Sequence, residues 1–137
     1  MNILIINGPN LNLLGQRQPS IYGDKSFEEY IQEVQQEGVN ISVYQSNVEG
    51  EIINALQAST ADGIILNAGA YTHTSVAIRD AVSAIETPVV EVHISNIAAR
   101  ESFRHESLIS PVSAGCIFGF GLKGYELALT YFTKMKA

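Results

Sequence analysis

The stretch GIILNAGAYTHTSVAIRDAVSAIETPVVEVHIS, residues 63–95, decides the fold of this chain. Its two ends, residues 63–69 and 88–95, are short and rich in Ile and Val, which is typical of strands buried on both faces. The segment between them, ending at Ile85, has helical spacing. The predicted inward face of this helix consists of Val76, Ala77, Ala81 and Val82. A strand, a helix and a second strand in this order predict a unit of a parallel sheet.

The same alternation continues on either side of this unit. Three further apolar runs, residues 2–8, 40–46 and 115–121, predict strands, and helix-period segments lie between them. Five such strands favour a flavodoxin-like α/β fold, which is a doubly wound parallel sheet of order 2-1-3-4-5 in three α/β/α layers. A length of 137 residues predicts a single domain over residues 1–137.

Local signals predict where the helices begin and which residues they bury. Ser26 with Glu29 and Ser46 with Glu49 have the spacing of capping boxes. Cys116 is the single cysteine, which excludes an internal disulfide, and its position in the fifth strand predicts a small core residue. The apolar face of the closing helix is predicted to contain Tyr125, Ala128, Leu129 and Phe132.

Composition and charge exclude several classes of partner. The 14 acidic and 8 basic residues give a net charge of −6, and no basic stripe is present, so a nucleic-acid partner is not expected. No apolar run approaches the roughly 20 residues of a membrane span, and the first ten residues lack the positive flank of a signal peptide. We therefore expect a soluble, cytoplasmic protein with no membrane partner.

Polar side chains gather where ligands bind in such folds, beyond the carboxyl ends of the strands near the first and third. The loop over residues 15–24, kept irregular by two glycines and a proline, adds two more. Asn10 and Asn67 could instead cap turns, His73 could be an ordinary first-turn helix residue, and Asp80 could lie on a solvated face. The candidate residues are Asn10, Arg17, Tyr22, Asn67, His73, His93, Ile94, Ser95, Arg100 and Arg104.

One pair at this edge indicates acid–base chemistry. Glu91 lies two residues before His93, so both side chains fall on the same face of the fourth strand. A carboxylate in an otherwise apolar strand is costly unless it is paired. Orienting an imidazole for general-acid work is a suitable use for it.

The residues that phosphate binding, Schiff-base catalysis or metal binding would need are not found at the predicted strand ends. The phosphate-binding patterns GxGxxG and GxxxxGK[ST] are absent where they would be needed. The four lysines lie away from the predicted strand ends, which argues against a Schiff base. The histidines at this edge lack a clear carboxylate as third metal ligand. We expect no metal and no cofactor.

The sequence resembles the type II 3-dehydroquinate dehydratase family over nearly its whole length. The motifs that carry the resemblance, in order, are NGPNLNLLG, RQPSIYG, QSNVEGEI, LNAGAYTHTSVAIRDA, EVHISN, FRHES and GFGLKGYELAL. Gln18 and Ser102 depart from the family pattern, which usually has acidic residues there. The resemblance implies a hydro-lyase that converts 3-dehydroquinate reversibly to 3-dehydroshikimate, in the shikimate pathway or in quinate breakdown. It also implies a homododecamer, built as a tetramer of trimers.

The resemblance also implies residue roles for an anti elimination through an enolate. Tyr22 would accept the proton and His93 would donate one to the leaving hydroxyl. Arg17 would stabilise the tyrosinate from a mobile lid, residues 15–24, and Asn10 would hold a water at the enolate oxygen. The implied substrate-binding residues are Asn67, His73, Asp80 (reaching a neighbouring subunit), Ile94, Ser95 and Arg104. Glu91 and Arg100 would support them.

Two rival interpretations stay open at this point. A small hydrolase or isomerase on the same fold could reuse His93 and Ser95, although the nucleophile elbow GxSxG is absent. A non-catalytic binding module could have kept the site and lost the reaction. Binding of the ligand without turnover would identify the second.

Overall fold

A single parallel sheet of five strands forms the centre of the molecule. The computed structural model describes residues 1–14 and 26–135. The strand order β2-β1-β3-β4-β5 confirms the predicted doubly wound topology. Strands β1 and β2 lie on one side of β3, and β4 and β5 lie on the other. The strands are β1 (Asn2–Asn7), β2 (Asn40–Gln45), β3 (Gly63–Asn67), β4 (Val89–His93) and β5 (Gly115–Phe118).

Four α-helices accompany the sheet in the described ranges. They are α1 (Phe27–Glu33), α2 (Glu49–Ala58), α3 (Val76–Ala84) and α4 (Lys123–Met135). Two 3₁₀ turns, Ile97–Ala99 and Ser102–Arg104, follow the fourth strand. None of these helices has both the length and the apolar character that crossing a bilayer would require.

Two separate hydrophobic cores cover the two faces of the sheet, which gives the three predicted layers. On one face α1 and α4 pack against alternate residues of the central strands, such as Ile5, Ile65 and Val90. On the other face α2 and α3 pack against the residues in between, such as Ile6, Ile64 and Val89. Successive side chains of a strand point to opposite faces, so the central strands are buried on both sides.

Several local predictions are confirmed. The capping box of α1 is present, because Ser26 accepts from the backbone N–H of Glu29 and the Glu29 carboxylate accepts from the N–H of Ser26. The four apolar residues predicted for the closing helix are all buried in α4. Each of these signals depends on residues three or four positions apart, a distance at which sequence spacing dictates contact.

Other local predictions are wrong, and each has a physical reason. Helix α3 begins only at Val76, capped by Ser75, so its buried stripe is Ile78, Ala81 and Val82, whereas Val76 is 58% exposed and Ala77 is also exposed. Ser46 does not cap α2, because that helix begins at Glu49 with Val48 as its N-cap. Cys116 is exposed and not a core residue, since β5 is an edge strand with mostly exposed residues.

The carboxyl ends of β1 and β3 approach each other closely. The N–H of Gly8 donates to the carbonyl of Asn67 (2.7 Å), and a Cβ on Gly8 would lie 2.5 Å from the carbonyl oxygen of Ala68. Only glycine therefore fits at position 8. Asn10 follows with a left-handed backbone (φ 70°), which asparagine tolerates better than most residues. This junction forms the floor of a cavity beyond the strand ends.

Candidate active site

A cavity of about 210 Å³ opens beyond the carboxyl ends of β1, β3 and β4. Its position is the one expected for a ligand site in a doubly wound sheet. Eight of the residues predicted from the sequence line it: Asn10, Asn67, His73, His93, Ile94, Ser95, Arg100 and Arg104. Leucines from the 3₁₀ turn at residues 11–13 and Leu14 add an apolar wall.

The predicted Glu91–His93 pair is the central polar contact of this cavity. Nε2 of His93 donates to Oε2 of Glu91 over 2.5 Å, and both side chains are buried. With one ring nitrogen held by the carboxylate, the other is left for the cavity that His93 lines. The arrangement is that of an oriented imidazole, suited to moving a proton.

Two serines that sequence reasoning missed hold Glu91 in place. Ser107 Oγ donates to Oε2 over 2.8 Å, and Ser110 Oγ donates to Oε1 in a short hydrogen bond. Burial raises the pKa of the Glu91 carboxyl, but hydrogen bonds from His93, Ser110 and Ser107 outweigh it and bring the pKa below its ordinary value. The serines lie 16 and 19 positions from Glu91, so no local spacing could have identified them.

His73 is held in one tautomer beside His93. Its Nδ1 donates to the carbonyl of Glu106 over 2.7 Å, which leaves Nε2 as the nitrogen available to a ligand. The two imidazole rings lie 6.3 Å apart, centre to centre, and are nearly parallel. His73 therefore lies at the cavity, as the sequence analysis predicts for a candidate site residue.

Asn67 has most of its side-chain hydrogen bonds committed to the protein. Its Oδ1 accepts from the N–H of Gly69 (3.2 Å), and its Nδ2 donates to the hydroxyl of Tyr125 (2.9 Å). That hydroxyl in turn donates to Oδ1 of Asn7 (2.7 Å). Asn67 lines the cavity, and the second N–H of its amide is left for a ligand there.

The arginines bring positive charge to the mouth of the cavity. Arg100 donates to the Ser95 hydroxyl (3.3 Å), and Arg104 donates to the Glu101 carboxylate (2.6 Å). The hydrogen bond from Arg104 is the main reason why the pKa of Glu101 is lowered. Because Glu101 is exposed, this ion pair is weakly held and its guanidinium can exchange partners for a ligand.

Asn10 is fixed from outside the cavity. Its N–H donates to Oδ1 of Asn47 (3.0 Å), and the same oxygen accepts from Gln45 (3.1 Å). The hydroxyl of Tyr71 binds the Asn47 carbonyl (2.8 Å). The left-handed backbone of Asn10 is thus held by a loop that follows the neighbouring strand β2.

One predicted residue lies away from the cavity, and two others fall outside the described residues. Asp80 is exposed on α3 and is absent from the cavity lining, while its neighbour Arg79 donates to the carbonyl of Leu108 (3.0 Å). Arg17 and Tyr22, with the rest of the predicted lid at residues 15–24, lie outside the described residues. Among residues 1–14 and 26–135, no group of three or more His, Cys, Asp or Glu side chains is arranged to hold a metal ion.

Comparison with known proteins gives one consistent result. The family model Dehydroquinase class II matches residues 1–133. A 3-dehydroquinate dehydratase from Francisella philomiragia is 56% identical over 133 residues, covering 94% of this chain and 92% of that protein. A 3-dehydroquinate dehydratase from an Exiguobacterium species is 58% identical with the same coverage.

Solved structures agree with the sequence matches. The type II dehydroquinase from Butyrivibrio crossotus superimposes with a TM-score of 0.87 at 46% identity, covering 97% of both chains. The type II dehydroquinase from Propionibacterium acnes gives a TM-score of 0.86 at 40% identity, covering 97% of this chain and 96% of that one.

Proposed function

The chain belongs to the class II dehydroquinase family and is a hydro-lyase, and from this premise we propose that it dehydrates 3-dehydroquinate to 3-dehydroshikimate by anti elimination through an enolate. The observation that carries the mechanism is the buried Glu91–His93 pair at the cavity wall. His93 is the general acid that protonates the departing hydroxyl, and Glu91 orients it. An unprotonated hydroxyl would have to depart as hydroxide, which is a poor leaving group. A positioned acid that lets it depart as water accelerates this step by about 10²–10⁴-fold.

Tyr22 is the base that removes the proton beside the substrate ketone. A tyrosine with its ordinary pKa of about 10 is almost fully protonated at neutral pH. Arg17, five positions earlier on the same loop, supplies the positive charge that lowers the pKa of Tyr22. Each tenfold gain in the tyrosinate fraction requires about 1.4 kcal/mol of preferential stabilisation. The loop over residues 15–24 acts as a lid that brings the base to the substrate and excludes water.

The cavity lining supports the binding roles. The substrate carboxylate is received by Asn67, Ser95 and the backbone of Ile94, and Arg100 contributes positive charge through its contact with Ser95. His73 offers Nε2 to a ring hydroxyl, and Arg104 binds a second one. Asn10 holds a water against the enolate oxygen.

Assembly completes the proposal. The protein is a cytoplasmic homododecamer, a tetramer of trimers, in which Asp80 of one subunit reaches the site of its neighbour. The exposed position of Asp80, away from its own cavity, supports such a role. Large exposed apolar side chains such as Val43, Phe103 and Phe120 supply surface that an assembly would bury.

The test follows the rise in ultraviolet absorbance as the conjugated enone product forms from 3-dehydroquinate. Tyr22→Phe removes only the hydroxyl that accepts the proton, so we expect kcat to fall by at least about 10³-fold while substrate still binds. Tyr131→Phe, on the exposed face of α4, is the matched control and should turn over like the parent protein.

Two results would contradict the proposal. Normal turnover in Tyr22→Phe would reject Tyr22 as the base. Binding of 3-dehydroquinate to the intact protein with no enone formed would instead favour a binding module that has lost the reaction. Repeating the assay with EDTA, and after borohydride treatment with substrate present, tests whether a metal or a Schiff base takes part.

A further inference from the structure

A buried tyrosine joins the ends of two strands beneath the cavity. Asn7 and Asn67 are the last residues of β1 and β3 and are directly paired in the sheet register. Both side chains point to the face covered by α4, and the Tyr125 hydroxyl of that helix lies between them. All three residues are buried, and Tyr125 is fully so.

The single proton of the Tyr125 hydroxyl orders this chain of hydrogen bonds. The hydroxyl donates to Oδ1 of Asn7, so toward Asn67 it can only accept, and Asn67 must turn its NH₂ group to it. The Gly69 N–H on Oδ1 of Asn67 requires the same orientation. Burial raises the pKa of Tyr125, so the hydroxyl keeps its proton at working pH. With one N–H on Tyr125, the second N–H of Asn67 is the group that remains for a ligand.

We propose that Tyr125 is a positioning residue that fixes the Asn67 amide with an N–H toward the cavity, and so makes this part of the floor select an anionic oxygen of the substrate. The proposal deepens the proposed function, on which it rests, because Asn67 receives the substrate carboxylate there. Without the Tyr125 hydroxyl, only the longer hydrogen bond from the Gly69 N–H (3.2 Å) would hold the amide, and each time the amide turned it would present its oxygen to that carboxylate and repel it. Tyr125 touches no substrate, and its effect passes through Asn67 alone.

The test is a comparison of KM and kcat for 3-dehydroquinate in Tyr125→Phe and the parent enzyme. Losing the orientation of one hydrogen bond to a charged group should raise KM by about tenfold and change kcat by less than about twofold. Tyr30→Phe is the matched control, since Tyr30 is also a buried tyrosine of the same core, but its hydroxyl binds Leu122 and Glu126 away from the cavity. It should lower the melting temperature and leave KM unchanged.

A double-mutant cycle separates positioning from packing. On an Asn67→Ala background, Tyr125→Phe should raise KM by less than about twofold, because the residue through which it acts is gone. Should Tyr125→Phe fail to fold, Asn7→Ala removes the acceptor that orders the same hydroxyl and should raise KM in the same way, with kcat again preserved.

An unchanged KM in folded Tyr125→Phe, or an equal rise in KM with and without Asn67, would overturn the inference. A fall in kcat at constant KM would place the effect of Tyr125 outside substrate binding, and would also overturn it. Absence of turnover in the parent protein is a different result, because it rejects the proposed function before any variant is compared.

Discussion

At the residue scale, the proposed chemistry depends on how one buried carboxylate, that of Glu91, is stabilised. Glu91 is 1% exposed and would be costly as an ion without its three donors. Because the pKa of Glu91 in the fold lies below its ordinary value of 4.5, the ionised carboxylate stabilises the fold above that pH. This contribution disappears as the pH falls through the lower, folded-state pKa.

Glu91→Gln should therefore reduce the dependence of stability on acid. We expect the free energy of unfolding to fall less steeply between about pH 5 and pH 3 in the variant than in the parent, as measured by urea unfolding. Glu101→Gln is the comparison, because the pKa of Glu101 is also lowered but its exposed ion pair is screened by water. Parallel pH curves for Glu91→Gln and the parent would contradict the role assigned to the buried pair. At neutral pH, we also expect the kcat of Glu91→Gln to be lower than that of the parent by about 10²-fold or more.

The second residue-scale prediction concerns the positive charge of Arg17 on the loop proposed as a lid. If Arg17 lowers the pKa of Tyr22, then Arg17→Ala should move the rising limb of the kcat profile to higher pH, toward the ordinary pKa of tyrosine near 10. The measurement is kcat at saturating substrate from about pH 6 to about pH 10, a range chosen to reach the ordinary pKa of tyrosine. A profile that keeps its midpoint while its height falls would mean that Arg17 positions the loop without activating the base.

At the element scale, the start of α3 determines which residues reach the core. The Ser75 hydroxyl accepts from the N–H of Ile78 (2.8 Å) and both residues are buried. Ser75→Ala leaves that N–H without a partner, so we expect the free energy of unfolding to fall by about 1–2 kcal/mol. Ser83→Ala, on the exposed side of the same helix, should change it by less than about 0.5 kcal/mol. Equal effects of the two substitutions in urea unfolding would reject the cap as their cause.

Elements were predictable from the sequence where the determining residues are neighbours. The capping box at Ser26 and the buried face of α4 follow from spacings of three and four residues. The inward placement of Val76 was wrong because the helix starts one residue after Ser75, which turns Val76 away from the sheet. The core assignment of Cys116 was wrong although the predicted order 2-1-3-4-5 already places the fifth strand at an edge of the sheet, because an apolar run does not by itself mean that both faces of a strand are covered.

At the scale of the whole molecule, assembly links one subunit to the site of another in the proposed function. We expect light scattering after size exclusion to give the mass of twelve chains of 14.9 kDa each. Asp80→Ala should keep that mass and lower kcat/KM, because only the contribution to the neighbouring site is lost. A stable, fully active monomer would remove Asp80 from the mechanism.

The site was predictable from the sequence only in part, and for a related reason. Glu91 and His93 are two residues apart on one strand, so their contact is local. Asn67 and His73 follow from the rule that places ligands at strand ends. Ser107, Ser110 and Tyr125 contact them across 16 to 58 positions of sequence, and such contacts depend on the packing of the whole fold.

The burial of the central strands on both faces also predicts how the backbone exchanges its amide protons with solvent. Residues of β3 and β4 are buried throughout, whereas those of β2 and β5 are mostly exposed. Amides of the inner strands can exchange only when both cores open together, so deuterium should reach them last. Glu91, His93 and Asn67 belong to these strands, and the acid of the proposed elimination is therefore attached to the slowest-exchanging part of the protein.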